Sequence, residues 1–416
     1  MNFEIFEDQK QIKILIKKFC QKELNEEYLK EIEMRITRAK TKEEIRKLFP
    51  WHLLDKLHEI GIRQLAIPQK YGGTAPEQQV NITLTLAAEE IGYWGGNLVG
   101  IVMIPWIFLR AIAIDKTINE DQRKWIFQKF VQDSRFLIAT AVGEASSCTD
   151  IHYPYDEGGS AILKCKGFKE DGCWIIDGEK AYCSGGAVAH LIMVAVRTNP
   201  EGPVSEAMSF FWIPTNLPGV TITPHQMLAT DLGGNCQIYL NNVKVSEDYV
   251  LGEINKGFSI IKSFFDSHLP GIAGLVGAMR RIYEHMREYA KQRRAGGKSL
   301  IEHPNVALKL GEIASDLEAL RNLMYRAAWE IDVAQSSSNY KHNLFWYSAT
   351  YAFFKKISWH FCNLATDIYG GMSAAKELPL GEFMKHIFYV RAAGLTFDIN
   401  RLIACRDYEG RYQRGV

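Results

Sequence analysis

The sequence has few features that would direct it to a nucleic acid, an oxidising compartment or a membrane. Its 49 basic residues are balanced by 48 acidic ones, so no charge excess favours a nucleic acid or an anionic lipid surface. The eight cysteines include no C-x-x-C pair, which predicts reduced thiols. The first residues are acidic, and the most apolar run, Leu98 to Leu109, is shorter than the roughly 18–20 residues of a membrane span. We therefore predict a cytoplasmic protein with no membrane span.

The sequence instead shows two changes of hydrophobic period. Residues 1–135 have helical spacing, residues 136–248 contain short strand-like runs separated by turn residues, and residues 249–416 are helical again. These boundaries define the three predicted domains. The predicted fold class is a multidomain α+β protein, in which an N-terminal helical domain and a C-terminal four-helix bundle flank a middle β-sandwich or barrel.

Several local signals sharpen this outline. Gln78 to Leu109 is predicted to be one long apolar helical region, and Asn119 with Gln122 predicts a capped helix start. The pairs Asp171-Gly172 and Asp177-Gly178 predict two tight hairpins within a β-meander. The eleven histidines show no metal-ligand spacing, so we expect no metal.

Five stretches of the chain carry short sequence motifs. They are Phe6-Glu-Asp-Gln-Lys10, Leu65-Ala-Ile-Pro-Gln-Lys-Tyr-Gly-Gly73, Asp177-Gly-Glu-Lys-Ala-Tyr-Cys-Ser184, Val243-Lys-Val-Ser-Glu-Asp-Tyr-Val-Leu-Gly-Glu-Ile-Asn-Lys-Gly257 and Asp367-Ile-Tyr-Gly-Gly371. These stretches resemble motifs of the acyl-CoA dehydrogenase family, and they occur in that family's order across nearly the whole chain. Each motif is weakly specific alone, whereas five in order are strongly specific.

The resemblance implies FAD as cofactor, bound at the seam between the β domain and the bundle. It places Tyr182 against the isoalloxazine ring and Ser184 near flavin N5, where an aromatic face and a hydrogen-bond donor are needed. It gives Arg293 the role of pairing with the pyrophosphate, which suits an always-charged fork. The other implied cofactor residues are Val142, Gly143 and Thr149 in the turn after the first strand, Asp367, Gly370 and Gly371 from a neighbouring subunit, and Thr396 and Asp398 from the last turn.

The sequence departs from the family at the catalytic base. Gly394 stands where the usual glutamate would take the α-proton of the thioester, and His268 stands where a subgroup carries an alternative base. Three alternatives stay open. His268 is the base, since an imidazole is poised near neutral pH; another carboxylate is the base, such as Asp266 or one on the Gln78–Leu109 region; or no α-proton is removed. Glu144 matches a family glutamate but is interpreted as a turn residue.

The resemblance predicts an enzyme that desaturates an acyl group carried on CoA or a carrier protein. It would pass electrons to an electron-transfer flavoprotein and assemble as a homotetramer or homodimer. A flavin monooxygenase or an acyl-CoA desulfinase is the enzymatic alternative, because relatives with these activities do not use the standard glutamate. The non-enzymatic alternative is a catalytically inactive scaffold.

Overall fold

A computed structural model describes residues 5–96, 98–149, 163–229, 232–337, 343–393 and 395–412. Helices make up the described part of the first third of the chain. They are α1 (Glu7–Glu23), α2 (Glu26–Ile36), α3 (Lys42–Leu48), α4 (Trp51–Glu59), α5 (Val80–Gly95), α6 (Leu98–Ile114) and α7 (Glu120–Gln132). None of the helices in these ranges combines the length and the apolar character that crossing a bilayer requires.

The start of α7 confirms a capping signal read from the sequence. The Asn119 side chain accepts a hydrogen bond from the Gln122 N–H at 2.9 Å, and the Gln122 side chain accepts one from the Asn119 N–H at 3.2 Å. Two otherwise unpaired helix-end donors are thereby satisfied. The Gln122 amide also donates to the Val250 carbonyl at 2.9 Å, which ties the helix start to the sheet.

The apolar region from Gln78 to Leu109 is two helices and not one, so that prediction is wrong in detail. Helix α5 ends at Gly95 and α6 begins at Leu98. Between them Gly96 has φ +50°, a left-handed conformation that a glycine adopts at little cost. The apolar pattern of the sequence continues through the break, so it does not reveal where the first helix ends. The helix ends there because Gly95 and Gly96 give the backbone the freedom to leave the helical conformation.

Eight strands of the described residues form one mixed sheet. They are β1 (Ile138–Ala141), β2 (Lys166–Glu170), β3 (Cys173–Ser184), β4 (Leu191–Arg197), β5 (Met208–Pro214), β6 (Val220–Pro224), β7 (Asn235–Val245) and β8 (Val250–Leu251), with a one-turn helix, α8 (Val204–Ala207), before β5. Their order in the sheet is β6-β7-β3-β2-β4-β5-β8, and β1 pairs in parallel with β4. The parallel pairing of β1 means that the predicted simple meander is wrong.

One of the two predicted hairpins is confirmed. Asp171 and Gly172 both have positive φ and join β2 to β3, where Glu170 pairs with Cys173. Asp177-Gly178 instead lies inside β3, at an irregularity in its pairing with β7, so the second hairpin is wrong. Gly178 is required there because a Cβ would lie 2.6 Å from the Cα of Cys165. The Asp-Gly dipeptide therefore allows β3 to pack closely against Cys165 and does not form a turn.

Helices dominate the rest of the chain. They are α9 (Gly257–Asp266), α10 (Pro270–Gln292), α11 (Pro304–Gln335), α12 (Phe345–Tyr369), α13 (Leu380–Ala392) and α14 (Phe397–Tyr412), with a short hairpin of β9 (Arg294–Ala295) and β10 (Lys298–Ser299). The four helices of the predicted bundle correspond to α10, α11, α12 and α14, while α13 was not predicted. The predicted fold class, with helical N- and C-terminal regions and a β-rich middle, is confirmed. The domain boundaries at residues 135 and 248 stay a prediction.

The described residues divide into two compact units. The helical unit comprises the described parts of Met1–Leu24, Asn81–Val99 and His268–Val416, and the sheet unit those of Asn25–Val80 and Gly100–Ser267. In the helical unit α5 and α10 cross closely, since a Cβ on Gly92 would lie 1.9 Å from the Gly274 carbonyl oxygen. In the sheet unit β4 and β5 are buried on both faces, as continuous apolar runs require.

Candidate active site

Tyr182 occupies a bulge in β3 and presents its ring to the surface. Lys180 pairs with Ile238 and Cys183 with Cys236, so two residues of β3 face one of β7. Tyr182 has φ +56°, a left-handed conformation that costs a non-glycine residue free energy, and its side chain is 62% exposed. Strained backbone that displays a large aromatic ring is typical of a binding site and unlike an ordinary strand residue.

His225 and Ser184 flank this tyrosine. The His225 ring stacks on the Tyr182 ring with centroids 5.1 Å apart. Its Nε2 is buried and has no hydrogen-bond partner among the described residues. Ser184 pairs with Asn235 across the strands, and the Asn235 amide donates to the Ser184 hydroxyl at 3.4 Å. The sequence motifs predicted Tyr182 and Ser184 as cofactor residues but not His225, whose only signal is its place just after β6.

Backbone contacts bring the predicted turn residues to the same bulge. The Ala181 N–H donates to the Gly143 carbonyl at 2.9 Å, and the Lys180 ammonium donates to the Val142 carbonyl at 3.1 Å. Val142 is buried, and a Cβ on Gly143 would lie 3.0 Å from the sulfur of Cys148. Thr149, next to that cysteine, is half-buried. The residues after β1 thus pack beside the exposed tyrosine.

A buried ion pair fixes this turn. Glu144 accepts a hydrogen bond from the Lys180 ammonium at 2.9 Å, and both side chains are at most 2% exposed. The same carboxylate accepts from the backbone N–H groups of Lys164 and Cys165 at 2.8 and 2.9 Å. Glu144 therefore holds the turn in place. Its partners occupy its lone pairs, which agrees with its interpretation as a turn residue.

The predicted cofactor residues of the helical unit fall into two groups. Tyr289 and Tyr369 are in contact with ring centroids 5.2 Å apart, which brings the ends of α10 and α12 together, and with them Arg293 and Gly370. Near this end Asp367 forms an ion pair with Lys309 at 2.5 Å, Gly370 has φ +58°, and a Cβ on Gly371 would meet open space. The Arg293 side chain is exposed.

Thr396 and Asp398 belong to the second group, at the start of α14. Both side chains are exposed, and Asp398 forms an ion pair with Arg401 at 3.3 Å. The neighbouring Leu395 carbonyl accepts a hydrogen bond from Lys355, which precedes Tyr369 by fourteen residues on α12. At 1.5 Å per residue the two groups are separated by roughly 20 Å along that helix. One chain therefore does not place both groups at one point.

His268 lies two residues before the first residue of α10 and is held by a tyrosine of α12. Its Nδ1 is 2.5 Å from the Tyr351 hydroxyl oxygen, and that hydroxyl is 3.1 Å from the His268 carbonyl oxygen. The Tyr347 ring lies perpendicular to the imidazole at 5.9 Å. Burial, and secondarily the charge of Tyr347, raises the pKa of Tyr351 far above its usual value. Tyr351 therefore stays protonated and fixes the orientation of the imidazole.

Lys355 holds the turn in which the standard glutamate position falls. Its ammonium donates to the carbonyls of Ala393 and Leu395 at 3.1 and 2.6 Å. Gly394 itself lies outside the described residues. Because Tyr351 and Lys355 are one helical turn apart, His268 and the pair Ala393 and Leu395 are anchored on neighbouring turns of α12. One feature of the sequence indicates this role of Lys355, which is a lysine within a stripe of apolar helical residues. No family motif marks the position.

The other candidate bases are Asp266 and a carboxylate of the Gln78–Leu109 region. Asp266, the last residue of α9, is buried. Glu89 of α5 accepts hydrogen bonds from Arg280, Arg321 and the Tyr325 hydroxyl at 2.6 to 2.9 Å. Burial alone would raise the pKa of Glu89, but the two guanidinium groups outweigh it and hold the pKa below its usual range. A carboxylate so stabilised is a poor base, so Glu89 is a structural anchor.

The family assignment comes from comparison with known proteins. The chain matches "Acyl-CoA dehydrogenase, N-terminal domain" over residues 6–133, "middle domain" over 156–243 and "C-terminal domain" over 255–407. The chain belongs to the acyl-CoA dehydrogenase family, as the sequence motifs indicated. A relative described as "Probable acyl-CoA dehydrogenase YngJ", from Bacillus subtilis (strain 168), is 25% identical over 98% of this chain and 99% of its own length.

Two solved structures show the same fold. "PigA with FAD and proline" has a TM-score of 0.81 at 19% identity, covering 99% of this chain and all of that one. The "Prolyl Acyl Carrier Protein Oxidase AnaB" has a TM-score of 0.79 at 20% identity, covering 97% of this chain and 99% of that one. At these identities the likeness establishes the fold alone.

FAD, predicted from the sequence, is confirmed as the cofactor by the family assignment. The residues present fit it. Tyr182 offers an exposed aromatic face, and a buried His225 nitrogen has no partner among the described residues. Arg293 offers an exposed guanidinium. In the described part of the chain, no three His, Cys, Asp or Glu side chains are grouped as metal ligands would be.

Proposed function

We propose that this protein is an FAD-dependent dehydrogenase that introduces an α,β double bond into an acyl thioester, with His268 as the base. The observation that carries the proposal is the short hydrogen bond between His268 Nδ1 and the Tyr351 hydroxyl, at 2.5 Å. The family supplies the reaction class. A fixed imidazole in the place of a subgroup's base supplies a general base.

The hydrogen bonds around Tyr351 favour one tautomer of His268. The tyrosine hydroxyl has one proton and faces two atoms of His268: the carbonyl oxygen, which can only accept, and Nδ1, which accepts or donates according to the tautomer. Both contacts are satisfied when the hydroxyl donates to the carbonyl and Nδ1–H donates to the hydroxyl oxygen. That arrangement puts the imidazole lone pair on Nε2. In the proposed reaction Nε2 takes the α-proton of the acyl group, and the imidazolium so formed keeps its Nδ1–H bond to Tyr351.

Other residues of the chain would hold the cofactor. FAD, when bound, supplies the acceptor for the hydride that leaves the β-carbon. Tyr182 would pack against the ring, the Ser184 hydroxyl would donate a hydrogen bond near N5, and Arg293 would pair with the pyrophosphate. Val142, Gly143 and Thr149 would line the ring from the turn after β1. Asp367, Gly370 and Gly371 would act from a neighbouring subunit, and Thr396 and Asp398 from their own.

Anaerobic flavin reduction tests the assignment of the base. The purified holoenzyme is mixed with a panel of acyl-CoA and acyl-carrier thioesters, and loss of the oxidised flavin absorbance is followed in time. His268→Ala should slow reduction by about 100-fold or more, because general-base catalysis contributes roughly that factor. Tyr351→Phe should slow it by about tenfold, because it removes only the orienting hydrogen bond. His268→Glu should recover much of the rate with a pH profile moved to lower pH.

A matched control is His360→Ala, because His360 is an exposed histidine of α12 that pairs with Glu312 at 2.7 Å. It should reduce flavin like the wild type. Unchanged reduction in His268→Ala would exclude His268 and leave Asp266 as the candidate. Purified protein that carries no flavin would favour the inactive scaffold.

A flavin monooxygenase or an acyl-CoA desulfinase is the second candidate function. The likeness to the structure of PigA with FAD and proline motivates testing it, because proline is an amine and not a thioester. Under this alternative no thioester bleaches the flavin anaerobically. A monooxygenase would instead consume oxygen when reduced flavin is supplied together with an amine or an aromatic compound. A desulfinase would consume no oxygen, and would release sulfite from a sulfinate-bearing acyl-CoA with water as the co-reactant. Bleaching by thioesters without oxygen uptake would reject it.

We further propose that the electrons pass to an electron-transfer flavoprotein, that the chain forms a homotetramer or homodimer, and that it works in the cytoplasm. The family assignment supports the electron-transfer partner. The separation of the two groups of predicted cofactor residues in the helical unit supports assembly from more than one chain. Sedimentation of the holoenzyme measures the assembly state. A monomer that retains FAD and activity would refute the proposed assembly.

A further inference from the structure

A surface depression of about 300 Å³ in the sheet unit has a different chemistry from the candidate active site. None of its lining residues is among the predicted cofactor or catalytic residues. They are Arg46, Lys47, Trp51, Arg135 and His190, which come from α3, from α4, from the segment after α7 and from the residue before β4. Four of the five are basic, so the depression is suited to an anion.

The positive charge of this depression is only partly neutralised. Arg135 forms a bidentate pair with Asp55, with nitrogen–oxygen distances from 2.6 to 3.1 Å. Arg46 instead donates to the carbonyls of Val188 and Ala189, at 3.4 and 3.5 Å. Among the described residues neither Arg46 nor Lys47 forms an ion pair with a carboxylate. Two cations therefore remain for a ligand.

His190 shows that a hydrogen-bond acceptor is lacking. Its Nδ1 lies 3.3 Å from the backbone nitrogen of Leu137, and its Nε2 lies 3.4 Å from the Arg46 guanidinium. Both neighbours are N–H donors, whereas a neutral imidazole has one lone pair and a protonated one has none. At least one donor is therefore unsatisfied by the imidazole. If Nδ1 accepts from Leu137, then Nε2–H and an Arg46 N–H are adjacent donors.

We propose that this depression binds an oxyanion of the phosphate class, free or as a phosphomonoester, between Arg46 and His190. One oxygen accepts from Nε2–H of His190 and another from the Arg46 fork, while Lys47 adds charge. An oxyanion supplies the lone pairs that both donors lack, and arginine matches its geometry. The Trp51 ring, whose indole N–H donates to the Arg46 carbonyl at 2.8 Å, is a flat apolar wall beside the anion. The site is independent of the proposed dehydrogenase activity.

Burial, reinforced by the charge of Arg46, lowers the pKa of His190 below its usual value. Arg63 acts in the same direction and Asp133 opposes it. The lowered pKa favours the neutral imidazole, which has one N–H and one lone pair; the Leu137 N–H that faces Nδ1 then leaves the proton on Nε2. A bound anion would stabilise the imidazolium and raise that pKa.

Calorimetric titration of the FAD-loaded protein with inorganic phosphate, in low-salt buffer free of other oxyanions, tests the proposal. The wild type should bind one phosphate per chain at this site. Arg46→Gln should weaken binding by about tenfold or more, and Lys47→Gln by about threefold. Asp55→Asn should strengthen it several-fold, because it releases Arg135 from its carboxylate. Phenyl phosphate binding tighter than inorganic phosphate would identify a phosphomonoester as the ligand, with its ring against Trp51.

Arg38→Gln is the matched control, since Arg38 is an exposed arginine of the same unit that does not line the depression. It should bind phosphate as the wild type does. No saturable binding by the wild type would overturn the proposal. So would equal affinity of the Arg46→Gln and Arg38→Gln proteins, which places the anion elsewhere. Lys47 is exposed, so Lys47→Gln gives a readout even if Arg46→Gln fails to fold.

Discussion

Two buried lysines, Lys180 in the sheet unit and Lys355 in the helical unit, differ in what compensates their charge. Lys180 is fully buried and pairs with the Glu144 carboxylate. Lys355 is 1% exposed and its ammonium meets two backbone carbonyls. Burial, and then the nearby Arg391, lowers the pKa of Lys355 to about 8. Each lysine anchors a turn predicted to act in catalysis or cofactor binding, but a carboxylate balances the charge of Lys180 whereas only neutral carbonyls receive the ammonium of Lys355.

The largest expected effect comes from breaking the Lys180 pair. Lys180→Met leaves the Glu144 carboxylate buried without its counter-ion, so the free energy of unfolding should fall by about 3–5 kcal/mol. Denaturant unfolding monitored by circular dichroism measures it. Lys180→Met with Glu144→Gln should recover part of the loss. Lys169→Met, which breaks the exposed pair with Glu247, should cost less than about 1 kcal/mol. Equal losses in the two single variants would remove the distinction between the pairs.

Lys355→Met should cost less, about 1–3 kcal/mol, because it leaves two carbonyls unsatisfied but no buried charge. Its cost should also depend on pH. The pKa of Lys355 is about 8 in the folded state and near 10.4 in the unfolded chain, so between these values the unfolded state binds more protons. Stability conferred by Lys355 therefore rises as pH increases from about 8 to about 10.

Unfolding titrations of the wild type and Lys355→Met at pH 7.5 and pH 9.5 measure this difference. The wild type should gain stability relative to the variant at the higher pH. Lys356→Met changes the adjacent exposed lysine and should show no such gain. A difference between the wild type and Lys355→Met that is the same at both pH values would mean that Lys355 is not neutralised in this range.

The smallest expected effect on stability, and the one of opposite sign, is at Tyr182. Tyr182→Gly relieves the left-handed backbone of the bulge, so the protein without flavin should be unchanged or more stable by up to about 1 kcal/mol. The same variant should retain less FAD, because the aromatic face is lost. Denaturation of the flavin-free protein and flavin absorbance after dialysis measure the two effects. A destabilised variant with normal FAD content would make Tyr182 structural.

Local signals predicted local structure well. Asn119 and Gln122 form the expected capping box, and Asp171-Gly172 forms the expected hairpin, because each rests on contacts within a few residues. The same reasoning failed at Asp177-Gly178. There the approach of Cys165 requires a glycine within a continuous strand, and the sequence of the dipeptide does not record that neighbour.

The candidate site was predicted unevenly for the same reason. The sequence could propose Tyr182, Ser184 and His268 as site residues because family motifs mark their positions in the chain. Tyr351 and Lys355 belong to none of the five motifs, although Lys355 interrupts a buried helical stripe. Their roles depend on His268 and Leu395, 83 and 40 residues away, which only tertiary packing brings to α12.

The sequence alone determined the class of this protein, because the alternation of helical and strand periods and the order of five motifs are properties of the chain itself. The tertiary structure decided which side chains have partners. It gave Glu144 a buried lysine, gave His268 an orienting tyrosine, and left His190 and Arg46 as adjacent donors that lack a shared acceptor. The physical reason is that hydrogen bonding and desolvation depend on distances of a few ångströms between residues far apart in sequence, which no local pattern specifies.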